Sequence, residues 1–255
     1  MGEIIAVANQ KGGVGKTTTS VNLAKALVLR RKKILLLDID PQANCSSGLG
    51  VENSPANIYD VLINGSMAGA VTAKDHCPDI VPSTRDLTGA EIELVGMEDR
   101  EYRLKKALAA VKENYDFIFI DCPPSLGLLT INALTASDSL LIPLQCEFYA
   151  LEGLGKLLNT LKYVRDAFNE HLRIKGVVLT MYDSRLNLTA QITDEIKNFF
   201  GEKLFNTVIP RNVRLAEAPS FGKDIFEYDR HSAGAASYMK LGDEFLAREK
   251  RNAQK

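Results

Sequence analysis

Short apolar runs recur along the chain, and each is bounded by polar, glycine or proline residues. Several of them are apolar at nearly every position, which is typical of strands covered on both faces of a parallel sheet. The pattern predicts seven strands, at residues 3–9, 33–38, 79–82, 117–121, 139–143, 176–181 and 204–209.

Helical periodicity fills the intervals between the runs. Apolar residues share one face of the segments that follow the first run, at 103–112 and at 151–168, and a short helix is predicted at 58–63. Residues 41–100 are rich in Asn, Ser and Gly, so we expect mainly loops there. Alternating strands and helices predict an α/β fold, a doubly wound and mostly parallel sheet with helices on both faces, which binds ligands at the carboxyl ends of its strands.

Composition limits the alternatives. The chain has 255 residues, 45% of them hydrophobic, and we expect one domain over residues 1–255. A net charge of −1 gives no general attraction to nucleic acid or membrane, so an anionic partner would need a local basic patch. The four cysteines form no C-x-x-C pair, which argues against zinc, an iron–sulfur cluster or disulfides. With no signal peptide and no bilayer-spanning stretch, the chain is expected to be cytoplasmic.

The chemistry begins directly after the first predicted strand. Residues 11–18 read Lys-Gly-Gly-Val-Gly-Lys-Thr-Thr and open a predicted helix. Glycines let backbone N–H groups turn toward an anion, and the helix N-terminus adds unpaired donors. Lys16 is expected to contact phosphates and Thr17 to bind Mg²⁺. The loop departs from the usual pattern, because Gln10 replaces a glycine and Lys11 adds a second lysine.

Acidic residues follow two other predicted strands. Asp38 and Asp40 end the second strand, where period-two geometry points both side chains the same way, and Asp121 ends the fourth. A carboxylate after an apolar strand is costly unless it meets a cation or hydrogen-bond donors. Each one alone could cap a helix, but three of them beside a Lys-Thr loop favour a Mg²⁺ site.

The chain resembles the ParA/Soj family of partition ATPases, deviant Walker-box relatives of MinD. The resemblance rests on the loop at 11–18, on Leu-Leu-Leu-Asp-Ile-Asp-Pro-Gln at 35–42 and on Ile-Asp-Cys-Pro-Pro-Ser at 120–125. It extends over nearly the whole chain through residues 88–94, 132–138 and 209–220.

The resemblance implies roles for individual residues. Two lysines and an aspartate would be catalytic, with Lys11 reaching the nucleotide of a partner subunit, Lys16 holding phosphate and Asp40 orienting the attacking water. Thr17, Asp38 and Asp121 would form the metal site. ATP would be bound by the loop and by two residues near the adenine, namely Lys11, Gly12, Gly13, Val14, Gly15, Lys16, Thr17, Thr18, Pro210 and Asn212.

The same resemblance implies partners. The family binds double-stranded DNA without sequence preference as an ATP-bound homodimer, and a ParB-type centromere-binding protein stimulates hydrolysis. Arg185 and Arg214 are the predicted DNA contacts, with Arg211 expected on the same helix face as Arg214. We expect no N-terminal helix-turn-helix domain, and a nucleoid-associated protein.

Three other classes stay open at this point. A MinD-like membrane-cycling ATPase is the nearest alternative, although residues 248–255 lack apolar side chains for a membrane helix. That tail is expected to be solvated, whereas Tyr238, Leu241 and Phe245 are expected to pack on the body. A redox ATPase like the nitrogenase iron protein would need cluster cysteines. A non-enzymatic nucleotide-binding protein would not need Lys16, Asp40 and Asp121.

Overall fold

The computed structural model describes residues 2–51, 54–147 and 150–252. Six parallel strands form one sheet in the order β3-β2-β4-β1-β5-β6. The strands are β1 Glu3–Val7, β2 Ile34–Asp38, β3 Asp79–Val81, β4 Phe117–Asp121, β5 Ser139–Gln145 and β6 Arg173–Thr180. The predicted α/β class and parallel sheet are confirmed.

Helices connect the strands. They are α1 Lys16–Leu29, α2 Asn44–Gly48, α3 Ile58–Asn64, α4 Leu87–Val95, α5 Arg103–Leu108, α6 Leu128–Ala136, α7 Ala150–Ala167, α8 Asn187–Phe200, α9 Val213–Glu217, α10 Ile225–Tyr228 and α11 Ala233–Asn252. The region from 41 to 100 is more helical than expected, because α2 and α4 were not predicted.

The sheet separates two apolar layers. In β1, Ile4 and Ala6 face one layer while Ile5 and Val7 face the other, so the whole strand is buried apart from its first residue. One layer lies under α3 to α8, and the second lies under α1, α10 and α11. This two-sided burial explains why the strand sequences are continuously apolar.

The C-terminal helix packs as predicted. Tyr238, Leu241 and Phe245 of α11 are at most 1% exposed. Arg248 differs from the prediction of a solvated tail, because its guanidinium lies 4.0 Å from the Phe205 ring centroid and donates to the Leu204 carbonyl. Residues 253–255 lie outside the described part of the chain.

The predicted seventh strand at 204–209 is wrong. This segment runs beside β6, but only isolated bridges join the two, such as Val177 with Leu204. The reason is a contact with a distant part of the chain, since the N–H groups of Asn206 and Thr207 donate to the Glu244 carboxylate of α11 at 2.9 and 2.8 Å. Donors used by a side chain cannot complete a strand ladder.

Within 2–51, 54–147 and 150–252, no helix has both the length and the apolar composition needed to cross a bilayer.

Candidate functional site

The loop between β1 and α1 is built for close approach of its backbone to an anion. Gly13 and Gly15 have φ values of 73° and 83°, in the left-handed region that glycine adopts without strain. Gly15 caps α1 without a side-chain cap, which leaves the N–H groups of the first turn available. Thr180, the last residue of β6, fixes the loop by donating its hydroxyl to the Val14 carbonyl at 2.8 Å.

Lys16 lies inside this loop. It is 7% exposed, and its ammonium donates to the Lys11 carbonyl at 3.2 Å. Burial lowers the pKa of Lys16, and the nearby charges of Asp121 and Asp40 oppose that shift only in part. An anionic ligand beside the ammonium would offset the rest of the lowering of the Lys16 pKa by burial.

Thr17 and Asp121 meet as predicted. The Thr17 hydroxyl donates to one Asp121 oxygen at 2.7 Å, and Ser20, one turn further along α1, donates to the other at 2.8 Å. Asp121 is fully buried, and burial together with the charge of Asp38 raises its pKa to about 7. A divalent cation would hold this carboxylate in its ionised form. Hydroxyl and carboxylate oxygens suit Mg²⁺, so the residues present fit that ion.

Asp38 lies beside Asp121, because the two residues are register partners on β2 and β4. Its oxygens accept hydrogen bonds from the Ser46 amide at 2.8 Å, the Ser46 hydroxyl at 2.7 Å and the Asp40 amide at 3.1 Å. Burial raises its pKa to about 6, although the Ser46 hydrogen bonds act in the opposite direction. Its predicted role in the metal shell stays a prediction, and its hydrogen bonds within the chain come from Ser46 of α2 and from the Asp40 amide.

Two hydrogen bonds hold Asp40 in place, one to its side chain and one to its backbone. Its side chain accepts from the Gln42 amide at 2.9 Å, and its carbonyl accepts from the Ser83 hydroxyl at 2.8 Å. Asp40 follows β2, and β2 is not adjacent to β1, since β4 lies between the two strands. Asp40 nevertheless acts on the charge of Lys16, which places both groups in one electrostatic site.

Lys11 is oriented by residues of its own chain. Its amide donates to the Asn9 side chain at 3.0 Å, and its ammonium forms an ion pair with Glu147, two residues beyond β5. The side chains of Lys11 and Glu147 are 35% and 44% exposed. The role of Lys11 in a partner's site stays a prediction.

Pro210 and Asn212 lie in the segment that leads into α9. Pro210 forms a bridge with Tyr182, and the Asn212 side chain caps α9 by accepting from the Leu215 amide at 3.3 Å. A structural role therefore accounts for Asn212, and the adenine contacts stay predictions.

Arg185 and Arg214 are exposed and ion-paired. Arg185 makes two hydrogen bonds to Asp183, at 2.8 and 2.6 Å, which lower the pKa of that carboxyl to about 2. Arg214 donates to Glu217 at 2.9 Å. The expectation that Arg211 shares a helix face with Arg214 is wrong, because α9 begins after Asn212.

Four polar residues that complete the site were missed by the sequence analysis: Ser20, Ser46, Ser83 and Glu147. Of these four, only Ser20 could have been predicted from the sequence, since it lies one helical turn after Thr17 and therefore on the same face of α1. The others reach the site through contacts between distant segments.

Comparison with known proteins agrees with this geometry. An AAA domain family model matches residues 2–174. Among solved structures, the cobyrinic acid a,c-diamide synthase of Mycobacterium smegmatis with bound ADP and magnesium is 35% identical, with a TM-score of 0.85 over 98% of this chain and 96% of that one. A plasmid partition protein of Borrelia burgdorferi bound to AMPPNP is 26% identical, with a TM-score of 0.83 over 97% of this chain and 100% of that one. The fold and the loop thus define a nucleotide-binding P-loop protein.

Curated relatives narrow this class. The sporulation initiation inhibitor protein Soj of Bacillus subtilis is 56% identical over 253 residues, which are 97% of this chain and 99% of the relative. The chromosome partitioning protein ParA of Myxococcus xanthus is 49% identical over 98% of this chain and 89% of its own length. The chain belongs to the Soj/ParA family, and the resemblance seen in the sequence is confirmed.

Proposed function

We propose that this chain is a Mg²⁺-dependent ATPase that acts as a DNA-partition switch. With ATP bound it forms a homodimer that holds double-stranded DNA without sequence preference. Hydrolysis, stimulated by a ParB-type partner, then releases the DNA, so the protein works in the cytoplasm on the nucleoid. The observation that carries the proposal is the second lysine, Lys11, in the phosphate loop of a chain 56% identical to Soj of Bacillus subtilis.

The residues at the loop divide the work of hydrolysis. Lys16 and the backbone N–H groups of 13–18 bind the phosphates, and Thr17 and Asp121 hold Mg²⁺. When bound, Mg²⁺ neutralises charge on the phosphate oxygens. Asp40 is buried at the edge of the same site, where its carboxylate orients the attacking water.

Lys11 is suited to act on a second subunit. Its ion pair with Glu147 is about one-third exposed on the lysine side, and such pairs contribute at most about 1 kcal/mol. The ammonium can therefore exchange Glu147 for the phosphates of a partner's nucleotide. A cation supplied in this way stabilises the transition state as an arginine finger does.

Substitution of Lys11 tests this role. Lys11→Ala should bind ATP almost normally, because Lys16 and the loop backbone remain, but it should neither dimerise with ATP nor hydrolyse it. Lys32→Ala is a matched control, since Lys32 is 37% exposed and pairs with Asp116. Light scattering and phosphate release measure the two effects. An ATP-dependent dimer of the Lys11→Ala protein would refute the assignment.

The proposed DNA surface is formed by two neighbouring segments. The Tyr182 amide donates to the Ile209 carbonyl at 2.9 Å, which joins the segment after β6 to the segment before α9. Arg185 lies on the first of these segments and Arg214 lies in α9, directly after the second, with 86% and 53% of their side chains exposed. A dimer doubles the set of arginines, and binding through phosphates alone would be strongly salt-dependent.

Charge reversal tests the surface. Arg185→Glu and Arg214→Glu should each lose DNA retention and keep ATP-dependent dimerisation. Arg30→Glu is the control, because Arg30 also makes two hydrogen bonds to an aspartate, Asp243, from the far end of α1. Equal DNA affinity in all three variants would exclude the surface. The membrane-cycling alternative has no observation in its favour, and sedimentation with liposomes and ATP tests it.

A further inference from the structure

A polar cluster of three buried residues and one exposed carboxylate, Glu227, lies outside the nucleotide site. It joins Lys25 of α1, Cys77 of the segment before β3, and Asp224 and Glu227 at α10. Lys25 and Cys77 are 4% and 8% exposed. The steps proposed above for nucleotide or DNA use none of these four groups.

The Lys25 ammonium is at the centre of this cluster. It lies 3.0 Å from an Asp224 oxygen, 2.7 Å from Glu227 Oε1 and 3.3 Å from Cys77 Sγ. The Cys77 thiol donates to the same Glu227 oxygen at 3.1 Å. Glu227 therefore fixes the amine and the sulfur next to each other through one shared acceptor.

Three of the four residues could in principle bind a metal ion. Cys77, Asp224 and Glu227 offer three ligand atoms within 4.8 Å of one another. Lys25, however, already supplies the cation. Burial disfavours its charge, but the hydrogen bond to Glu227 and the charge of Asp224 outweigh burial and raise its pKa. A metal ion would have to displace this ammonium, so the cluster is better explained by chemistry between Lys25 and Cys77.

We propose that Lys25 and Cys77 form a site of reversible oxidative modification, at which dioxygen links them through a single oxygen atom as an N–O–S bridge. The bridge requires a lysine nitrogen and a cysteine sulfur in contact, and Lys25 Nζ lies 3.3 Å from Cys77 Sγ. The two residues are 52 positions apart in sequence, so the bridge would join α1 covalently to the segment before β3.

The reaction balances with one molecule of dioxygen. The lysine ammonium loses two of its three N–H hydrogens, one of them as the released proton, the thiol loses its S–H hydrogen, and the O–O bond breaks, so one hydrogen stays on the bridging nitrogen. One oxygen forms the N–O and S–O bonds, and the other leaves as water together with one released proton. The four electrons come from the nitrogen and the sulfur. Four external thiols reverse the reaction, which yields the free amine, the free thiol, water and two disulfides.

The environment favours this product over others. Cys45, Cys77, Cys122 and Cys146 are all buried and free, so a disulfide between them is not formed in the native fold. Burial, with the Glu227 hydrogen bond, raises the pKa of Cys77, so its thiol is protonated at neutral pH and we expect bridge formation to be slow. Once the bridge forms, the nitrogen is no longer an ammonium, and Asp224 loses its cation.

Mass spectrometry of the full-length protein tests the proposal. After prolonged exposure to air, the intact mass should increase by one oxygen and decrease by two hydrogens, and digestion should give one cross-linked peptide containing Lys25 and Cys77. Dithiothreitol should remove both signals. A sulfenic acid adds an oxygen without loss of hydrogen, and a direct N–S bond loses two hydrogens without gaining oxygen, so the masses distinguish the products.

Variants make the assignment specific. Cys77→Ser and Lys25→Arg should abolish the cross-link, whereas Cys146→Ser should retain it, because Cys146 contacts Thr193. Circular dichroism confirms that each variant is folded, and the wild-type peptide map decides the question if either variant is not. Oxidation of Cys77 without the cross-linked peptide, or the same mass change in Lys25→Arg, would overturn the proposal.

Discussion

Replacing Asp121 by asparagine should remove much of the pH dependence of stability in the protein free of metal and nucleotide. Burial and the neighbouring Asp38 charge raise the pKa of Asp121 from 3.8 to about 7. A carboxyl group whose pKa is higher in the folded state takes up a proton on folding between these two pH values. Its stabilising effect is complete below about pH 4 and is lost as the pH rises through about 7.

The magnitude follows from the two pKa values. A rise from 3.8 to about 7 corresponds to about 4 kcal/mol, as one pKa unit is about 1.4 kcal/mol. Burial also raises the pKa of Asp38, to about 6, and part of that rise comes from nearby carboxylate charge. The Asp38 charge raises the pKa of Asp121, whereas the carboxylate that raises the pKa of Asp38 is Asp40, so the variant removes the Asp121 contribution.

Urea unfolding at pH 5 and pH 8 with EDTA measures the effect. The wild type should lose about 3 kcal/mol more than Asp121→Asn between these pH values, since only the interval from pH 5 to about pH 7 contributes, and saturating Mg²⁺ and nucleotide should restore the wild type at pH 8. Asp166→Asn on the exposed side of α7 is the control, and it should follow the wild type. The reasoning fails if wild type and Asp121→Asn lose the same stability.

Two further predictions concern DNA and packing. Asp183→Asn should strengthen DNA binding several-fold in a filter assay at low salt, because it frees Arg185 from its ion pair. Asp243→Asn, which frees Arg30, is the control and should not strengthen binding. Equal gains in the two variants would contradict the prediction. Phe245→Ala should cost about 3–5 kcal/mol in urea unfolding, because the buried ring packs edge-on at 5.2 Å from Phe117, whereas a loss below about 1 kcal/mol would show that the layer repacks.

Six of the seven strands predicted from the sequence are present, because residues buried on both faces of a sheet leave a continuous apolar signal. The prediction failed for 204–209, where the deciding contact comes from Glu244, about forty residues further along the chain. No local pattern in the segment itself records which donors a distant carboxylate will take. The extent of the single domain and the lack of an N-terminal helix-turn-helix stay predictions.

At the site, the residues carried by the loop and strand ends were predictable. Thr17 and Asp121, both predicted to bind Mg²⁺, lie within hydrogen-bond distance of each other, because a strand end and the start of α1 meet at one edge of the sheet. Ser46 and Ser83 were not predictable, since serine is common on surfaces and their roles depend on α2 and β3 being placed beside β2. Glu147 was not predictable for the same reason, because its role depends on which residue it contacts in the fold.

The hydrogen bond between Thr180 and Val14 has a mechanical consequence. Thr180 ends β6, and Asp183, which pairs with Arg185, follows three residues later. The phosphate loop and the proposed DNA surface are therefore attached to the same strand end, on either side of one threonine. A loop that moves on binding nucleotide must either carry Thr180 with it or break this bond. Either event changes how the end of β6, which leads to the Asp183–Arg185 pair, is held.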